Sequence, residues 1–144
     1  MISKAMEPVL KLFLNDRFAR RLGITIEEIR EGYARCRMPI EEKMLNGKDI
    51  IQGGALFALC DFTMAVAANS RGQVAFTVNA AITYLRGMPK GETLTAETVE
   101  LSCGNKIANY RVNVFDSKNE LVAVFNGTCN RTGERIPGST PGGK

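Results

Sequence analysis

Apolar residues near the start of the chain recur at helical spacing. Val9, Leu10, Phe13 and Leu14 predict an amphipathic helix over residues 4–16, with Pro8 in its first turns, where a missing N–H is tolerated. After Gly23 the period falls to two. Ile24 and Ile26 share one face of a short strand. Ala34, Cys36 and Met38 then alternate with Tyr33, Arg35 and Arg37 on a second strand, which Pro39 ends. The polar stretch EEKMLNGKDI reads as a loop. Residues 53–69, GGALFALCDFTMAVAAN, are alanine-rich and apolar all round, which predicts a helix buried on every side. An Asp in its middle and its polar flanks argue against a membrane span. Four strands follow. Residues 74–85 set Val74, Phe76, Val78, Ala80, Ile82 and Tyr84 on one face, while residues 93–101 alternate poorly. Residues 106–116 alternate Ala108, Tyr110, Val112 and Val114 with Asn109, Arg111 and Asn113, and residues 120–131 complete the set. The short turns RGMPKGE, SCGN and DSKN make these strands an antiparallel meander or a close relative. An antiparallel sheet must curl about a helix that is hydrophobic all round, so the fold class is α+β with a sheet wrapped around one long central helix. The end, TGERIPGSTPGGK, has the composition of a flexible segment, giving a domain over 1–132 and a tail over 133–144.

The 144 residues suit one domain of globular composition, 44% hydrophobic and 24% charged. The net charge of +4 is spread without basic runs, so nucleic acid is not an expected partner. The chain has no histidine. That excludes Ser-His-Asp and Cys-His nucleophiles, His-ligated zinc and imidazole acid–base chemistry. Cys36, Cys60, Cys103 and Cys129 form no C-x-x-C pair and read as reduced, mostly buried small hydrophobes; no metal or cofactor is expected. The apolar part of MISKAMEPVLKLFLNDR is too short and interrupted for a secretory signal, so a cytoplasmic setting is expected.

Two features stand out against this background. Asp61 is the only charge between Gly53 and Asn69, and an unpaired carboxylate among apolar neighbours is costly. Gln52-Gly53-Gly54 opens the same helix, where first-turn N–H groups lack intrahelical partners and the dipole favours developing negative charge. Structural readings exist for both: an Asp bonded to backbone or hydroxyls, and an ordinary loop-to-helix junction. Gly53 and Asp61 lie about 12 Å apart along an α-helix and about 80° apart around it. One reacting carbonyl cannot touch both groups of one helix. Two antiparallel copies, with Gly53 of one opposite Asp61 of the other, can serve it, which makes a two-fold dimer with two composite sites the condition for a working site.

The segment N-x5-QGGALFALCDFTMAVAANS, followed by AFTVNAAITYLRGMPKGETLTAE, resembles the hotdog-fold acyl-CoA thioesterases of the phenylacetate-pathway (PaaI) type, over residues 20–131. The family pattern of Asn, then His-Gly-Gly, then Asp falls on Asn46, Gln52-Gly53-Gly54 and Asp61, with Gln52 in place of the His. A Ser or Thr that positions water in relatives falls on Thr77. The resemblance implies thioester hydrolysis. Gly53 N–H would polarise the carbonyl, with Gly54 beside it, and Asp61 of the facing subunit would act as general base or nucleophile. Asn46 and Thr77 would hydrogen-bond the carboxylate, the water or the thioester. The coenzyme A phosphates would meet basic turn residues, with Arg71, Arg86, Lys90 and Lys106 as candidates. It further implies a homodimer, with a dimer of dimers beyond it.

Gln52 cannot exchange a proton near neutral pH, so it can take over orientation but not acid catalysis. A hydratase of this fold would pair a His with a carboxylate, and this chain has none. The alternative from a different class is an acyl-CoA binding or sensing protein without turnover. A DNA-binding regulator would need a helix-turn-helix region for which the segment ahead of the first strand is too short.

Overall fold

The computed structural model describes residues 2–140. A 3₁₀ turn (Lys4–Met6) leads into α1 (Glu7–Leu14) and α2 (Arg17–Arg21). β1 (Thr25–Arg30) and β2 (Tyr33–Pro39) follow, then a loop with a 3₁₀ turn at Glu42–Met44, then α3 (Gly53–Asn69). β3 (Gln73–Tyr84), β4 (Thr93–Cys103), β5 (Ile107–Phe115) and β6 (Leu121–Arg135) complete the chain. The six strands form one antiparallel sheet in the order β1-β2-β4-β5-β6-β3, curled about α3. The expected α+β hotdog architecture is therefore present, with its short N-terminal helix.

The amphipathic start is shorter than its periodicity suggested. α1 ends at Leu14, and Asp16 caps α2 by accepting the Ala19 N–H at 2.9 Å. Val9 is buried and Phe13 packs edge-on against Phe62 of α3, while Leu14 is exposed. The meander holds for β4-β5-β6 only. β3 crosses to the far edge and pairs with β6, because the 85–92 connection carries the chain over to the open side of β2. β6 runs past its expected end at residue 131 to Arg135, and Ile136 is buried; residues 141–144 of the expected tail lie outside the described residues.

The core fills the space between sheet and helix. Leu94, Ala96, Ala108, Tyr110, Val112, Val114 and Phe125 point inward, against Leu56, Leu59, Cys60, Met64 and Val66 of α3. Each large side chain so buried contributes on the order of 1.5–3 kcal/mol. β4 alternated poorly in sequence because two of its inward positions hold Ala96 and Thr98; the Thr98 hydroxyl is satisfied by the Ala34 N–H at 3.0 Å. Beneath the sheet, Tyr110 donates to Glu100 at 2.9 Å, and Arg71 pairs with the same carboxylate at 2.7 Å.

Two surfaces depart from the sequence expectation. α3 is not covered all round: Gly54, Ala58, Asp61 and Ala65, spaced three to four residues apart, form a strip that the chain's own sheet leaves open. The six apolar residues of β3 do not share one buried face either. A register shift between Thr77 and Asn79 breaks the alternation. Ala80 and Ile82 pack on the core, while Phe76 and Val78 are 62% and 59% exposed. Apart from Asp61 the uncovered strip of α3 is made of small residues, and the unpaired edge strand β3 exposes Phe76 and Val78.

Candidate active site

The loop ahead of α3 is pinned by backbone hydrogen bonds. Ile51 N–H donates to Met88 O at 2.8 Å, and Gln52 N–H to Met44 O at 2.7 Å, with both methionines buried. Gln52 is then the N-cap of α3: its backbone is extended, and its Oε1 accepts the Gly54 N–H. The Ala55 N–H reaches Gln52 O at 3.0 Å. The Gly53 N–H, by contrast, meets no acceptor among the described residues. A free amide thus sits at the positive end of a 17-residue helix. A side chain at either glycine would crowd a neighbour. A Cβ on Gly53 would lie 2.9 Å from the Tyr84 ring, and one on Gly54 would lie 2.6 Å from Gln52 Oε1.

Asp61 lies two turns further along α3, half-buried on the open strip. Thr77 Oγ1 donates to its Oδ1 at 2.9 Å; of the partners that the resemblance implied for Thr77, the carboxylate is the one it meets here. Asn69 sets that contact up. Its Nδ2 donates to Ala65 O at 2.8 Å and Ala75 O at 3.1 Å, and its Oδ1 accepts Ala75 N–H at 3.0 Å. The end of the helix is thereby tied to the start of β3, which brings Thr77 beside Asp61. Cys129, paired with Thr77 across the strands, is a protonated thiol, since burial pushes it up to about 11.

Within one chain these groups fall into two separate cavities. One, of about 360 Å³, is lined by Asn46, Ile50, Gly53, Leu56, Tyr84 and Arg86, among others. The other, of about 550 Å³, holds Asp61 and Thr77 with apolar walls from Leu12, Phe13, Ala65, Val74 and Phe76. The free amide and the carboxylate do not share a cavity. Asn46 belongs with the amide: its Oδ1 accepts the Lys48 N–H at 2.8 Å and shapes the loop rather than reaching Asp61.

The sequence and the fold match a known group of proteins. A thioesterase superfamily profile matches residues 49–123. The chain belongs to the thioesterase superfamily. The Escherichia coli acyl-coenzyme A thioesterase PaaI is 35% identical over 138 residues, 96% of this chain and 99% of that one. Its solved structure superposes with a TM-score of 0.89 at 34% identity, covering 92% of this chain and 96% of that chain. The phenylacetic acid degradation protein PaaI from Thermus thermophilus gives a TM-score of 0.77 at 31% identity, covering 80% and 98%. A hypothetical thioesterase protein from Streptococcus pneumoniae, solved with coenzyme A, gives 0.82 at 25% identity, covering 88% and 98%. This thioesterase is accordingly a thioester hydrolase of PaaI-like architecture. Among the described residues no helix is long and apolar enough to cross a membrane.

The basic candidates differ in their surroundings. Arg71 is 14% exposed and bound to Glu100, so burial commits it to the core network and removes it from the surface. Arg86 donates to Asp116 at 2.8 Å and to the Glu120 and Leu121 carbonyls, which spends much of its fork on the 116–121 turn. Lys90 pairs with Glu42 at 3.2 Å. Lys106 is exposed and has no ion pair among the described residues. Sequence reasoning missed three contributors: Tyr84, which reads as one more apolar residue of β3, Phe13, which reads only as part of the apolar face of the first helix, and Leu12, which the periodicity does not single out. No local signal marks any of them, because their partners are distant in sequence.

Proposed function

We propose that this thioesterase hydrolyses acyl-CoA thioesters to the free acid and coenzyme A, at a site completed by two copies of the chain. The observation that carries the reading is the free Gly53 N–H and the Thr77-bound Asp61 in separate cavities along one uncovered side of α3. A second copy, antiparallel across the open strip, brings the amide of one chain to the carboxylate of the other. The unpaired edge of β3, with its exposed Phe76 and Val78, favours the same partner, since an apolar edge strand otherwise invites uncontrolled pairing. The exposed Val99, Leu101 and Ile107 on the outer sheet suit a further pairing into a dimer of dimers.

In this reading the acyl group enters the cavity walled by Leu12, Phe13 and Phe76. The thioester oxygen accepts from Gly53 N–H, with Gln52 and Asn46 of that chain beside it. Asp61 of the facing chain takes a proton from water held by Thr77. The water oxygen adds to the carbonyl carbon, and negative charge collects on the oxygen facing the amide. The carbonyl re-forms as the C–S bond breaks, and coenzyme A leaves as a thiolate that is then protonated. Direct attack by Asp61, with water opening the resulting anhydride, uses the same positions. Lys90, Lys106 and Arg86 supply positive charge for the coenzyme A phosphates. Buried thiols at Cys36, Cys60 and Cys129 suit a reducing, cytoplasmic setting.

The test is a panel of acyl-CoA esters assayed for free thiol with wild type and Asp61→Asn. The reading expects turnover that Asp61→Asn nearly abolishes while affinity for the ester survives. Equal, negligible rates in both proteins, with tight binding, would establish a binding or sensing protein instead.

A further inference from the structure

Tyr84 ends β3 and lays its ring against the first turn of α3, with its hydroxyl 2.9 Å from the Gly53 carbonyl oxygen. The phenol is the donor. The peptide unit that receives this bond continues into the Gly54 N–H, which donates to Gln52 Oε1. Phenol, peptide 53–54 and carboxamide therefore form one donor-to-acceptor series leading to the Gln52 side chain. Hydrogen bonds in such a series polarise one another: a proton offered to the peptide oxygen strengthens the peptide N–H, which in turn makes the carboxamide NH2 a stronger donor. The arrangement also fixes orientation. With Oε1 held by Gly54, the amide cannot turn over without losing that bond, so Nε2 faces away from the helix start.

Two observations show that the contact is built in. Only glycine at position 53 admits the ring, since a Cβ would stand 2.9 Å from both Cζ and Oη of Tyr84. The phenol keeps its proton at neutral pH, because burial, and then the nearby Cys60, raise it above its ordinary value.

We infer that Tyr84 is a positioning residue of the thioesterase reaction: through the Gly53–Gly54 peptide it fixes and polarises the Gln52 carboxamide, which presents its NH2 to the thioester. This rests on the hydrolase reading above. Glutamine cannot trade a proton, so the strength of its hydrogen bond is what it can contribute, and Tyr84 raises that strength without touching a reacting atom.

The experiment measures kcat and KM for thiol release with wild type, Tyr84→Phe, Gln52→Ala and the double variant. Tyr84→Phe is expected to lower kcat about three- to tenfold, the effect of one hydrogen bond, with KM changed less than about twofold. In the Gln52→Ala background the same change should cost less than about twofold, since the two residues act in series. In ¹H–¹⁵N spectra of the whole protein, Tyr84→Phe should move the Gly54 amide and the Gln52 side-chain NH2 upfield. A wild type that releases thiol while the two losses multiply, or Gln52 signals that stay in place, overturns the role of Tyr84 alone. A fall in melting temperature and KM that accounts for the whole effect overturns it too, by making the contact merely structural. A wild type that releases no thiol from any ester overturns the hydrolase reading and this role with it.

Discussion

Replacing Gly53 by proline deletes the one hydrogen atom that the mechanism needs, and its steric cost can be matched by an alanine control. Position 53 is the first residue of α3, where proline is favoured because the N–H has no intrahelical partner. Gln52, at φ −71° and ψ 137°, already has the extended backbone that a residue before proline adopts. The new side chain does meet the Tyr84 ring, 2.9 Å from its Cβ, but Gly53→Ala brings the same Cβ and keeps the N–H. The comparison of Pro with Ala therefore isolates the amide. Loss of a donor aimed at developing oxyanion charge costs about 2.7–4 kcal/mol, or 10²- to 10³-fold in kcat. Displacing the half-exposed Tyr84 costs both variants alike, within about tenfold. The assay is thiol release from the best acyl-CoA of the panel, with circular dichroism and thermal melts to show that both variants fold. Gly53→Pro should fall about 10²- to 10³-fold below Gly53→Ala in kcat. Equal rates for the two would refute the role given to the amide.

Other consequences follow from the exposed edge, the water-binding hydroxyl and the 116–121 turn. Val78→Lys places a charge on the open edge of β3; the isolated chain should lose less than about 0.5 kcal/mol, while sedimentation should show dimers weakened about 100-fold or more. Thr77→Val removes the hydroxyl on Asp61 and should lower kcat about tenfold, read by the thiol assay. Asp116 is held below the ordinary carboxylate range by Arg86, and further by the Glu120 and Lys118 N–H groups. Its stabilisation is then fully present above the unfolded pKa and lost as pH falls through the lowered native one. Urea unfolding across that acid window should show a drop that Asp116→Asn flattens.

Much of the frame was legible because its signals are local. β5 alternates cleanly, and its even-numbered residues from 108 to 114 are buried as their period requires. The proposed site residues Gln52, Gly53, Asp61 and Thr77 were picked out by their resemblance to the family pattern, and the fold brings Thr77 within hydrogen-bond distance of Asp61. What stayed hidden depends on contacts far apart in the chain. An alanine at 58 or 65 looks the same whether its own sheet or a second copy covers it, so α3 looked buried all round. The shift at Thr77/Asn79 turns the alternation of β3 without any glycine or proline to announce it. Arg71 and Arg86 looked like free surface cations because Glu100 and Asp116 are 29 and 30 residues away. Tyr84 reaches Gly53 over 31 residues. The short α2 did carry a signal, an Asp16 cap ahead of helix-forming residues, overshadowed by the longer apolar pattern before it.

The most direct test of the shared site is to mix two inactive subunits. Asp61→Asn supplies an intact amide and Gly53→Pro an intact carboxylate. After subunit exchange at equal concentrations, half of the dimers should be mixed and hold one restored site in two, giving about a quarter of wild-type thiol release. Activity that stays at the sum of the two parents, with exchange verified by native mass spectrometry, would mean that each chain works alone and that amide and acid do not meet across a two-fold axis.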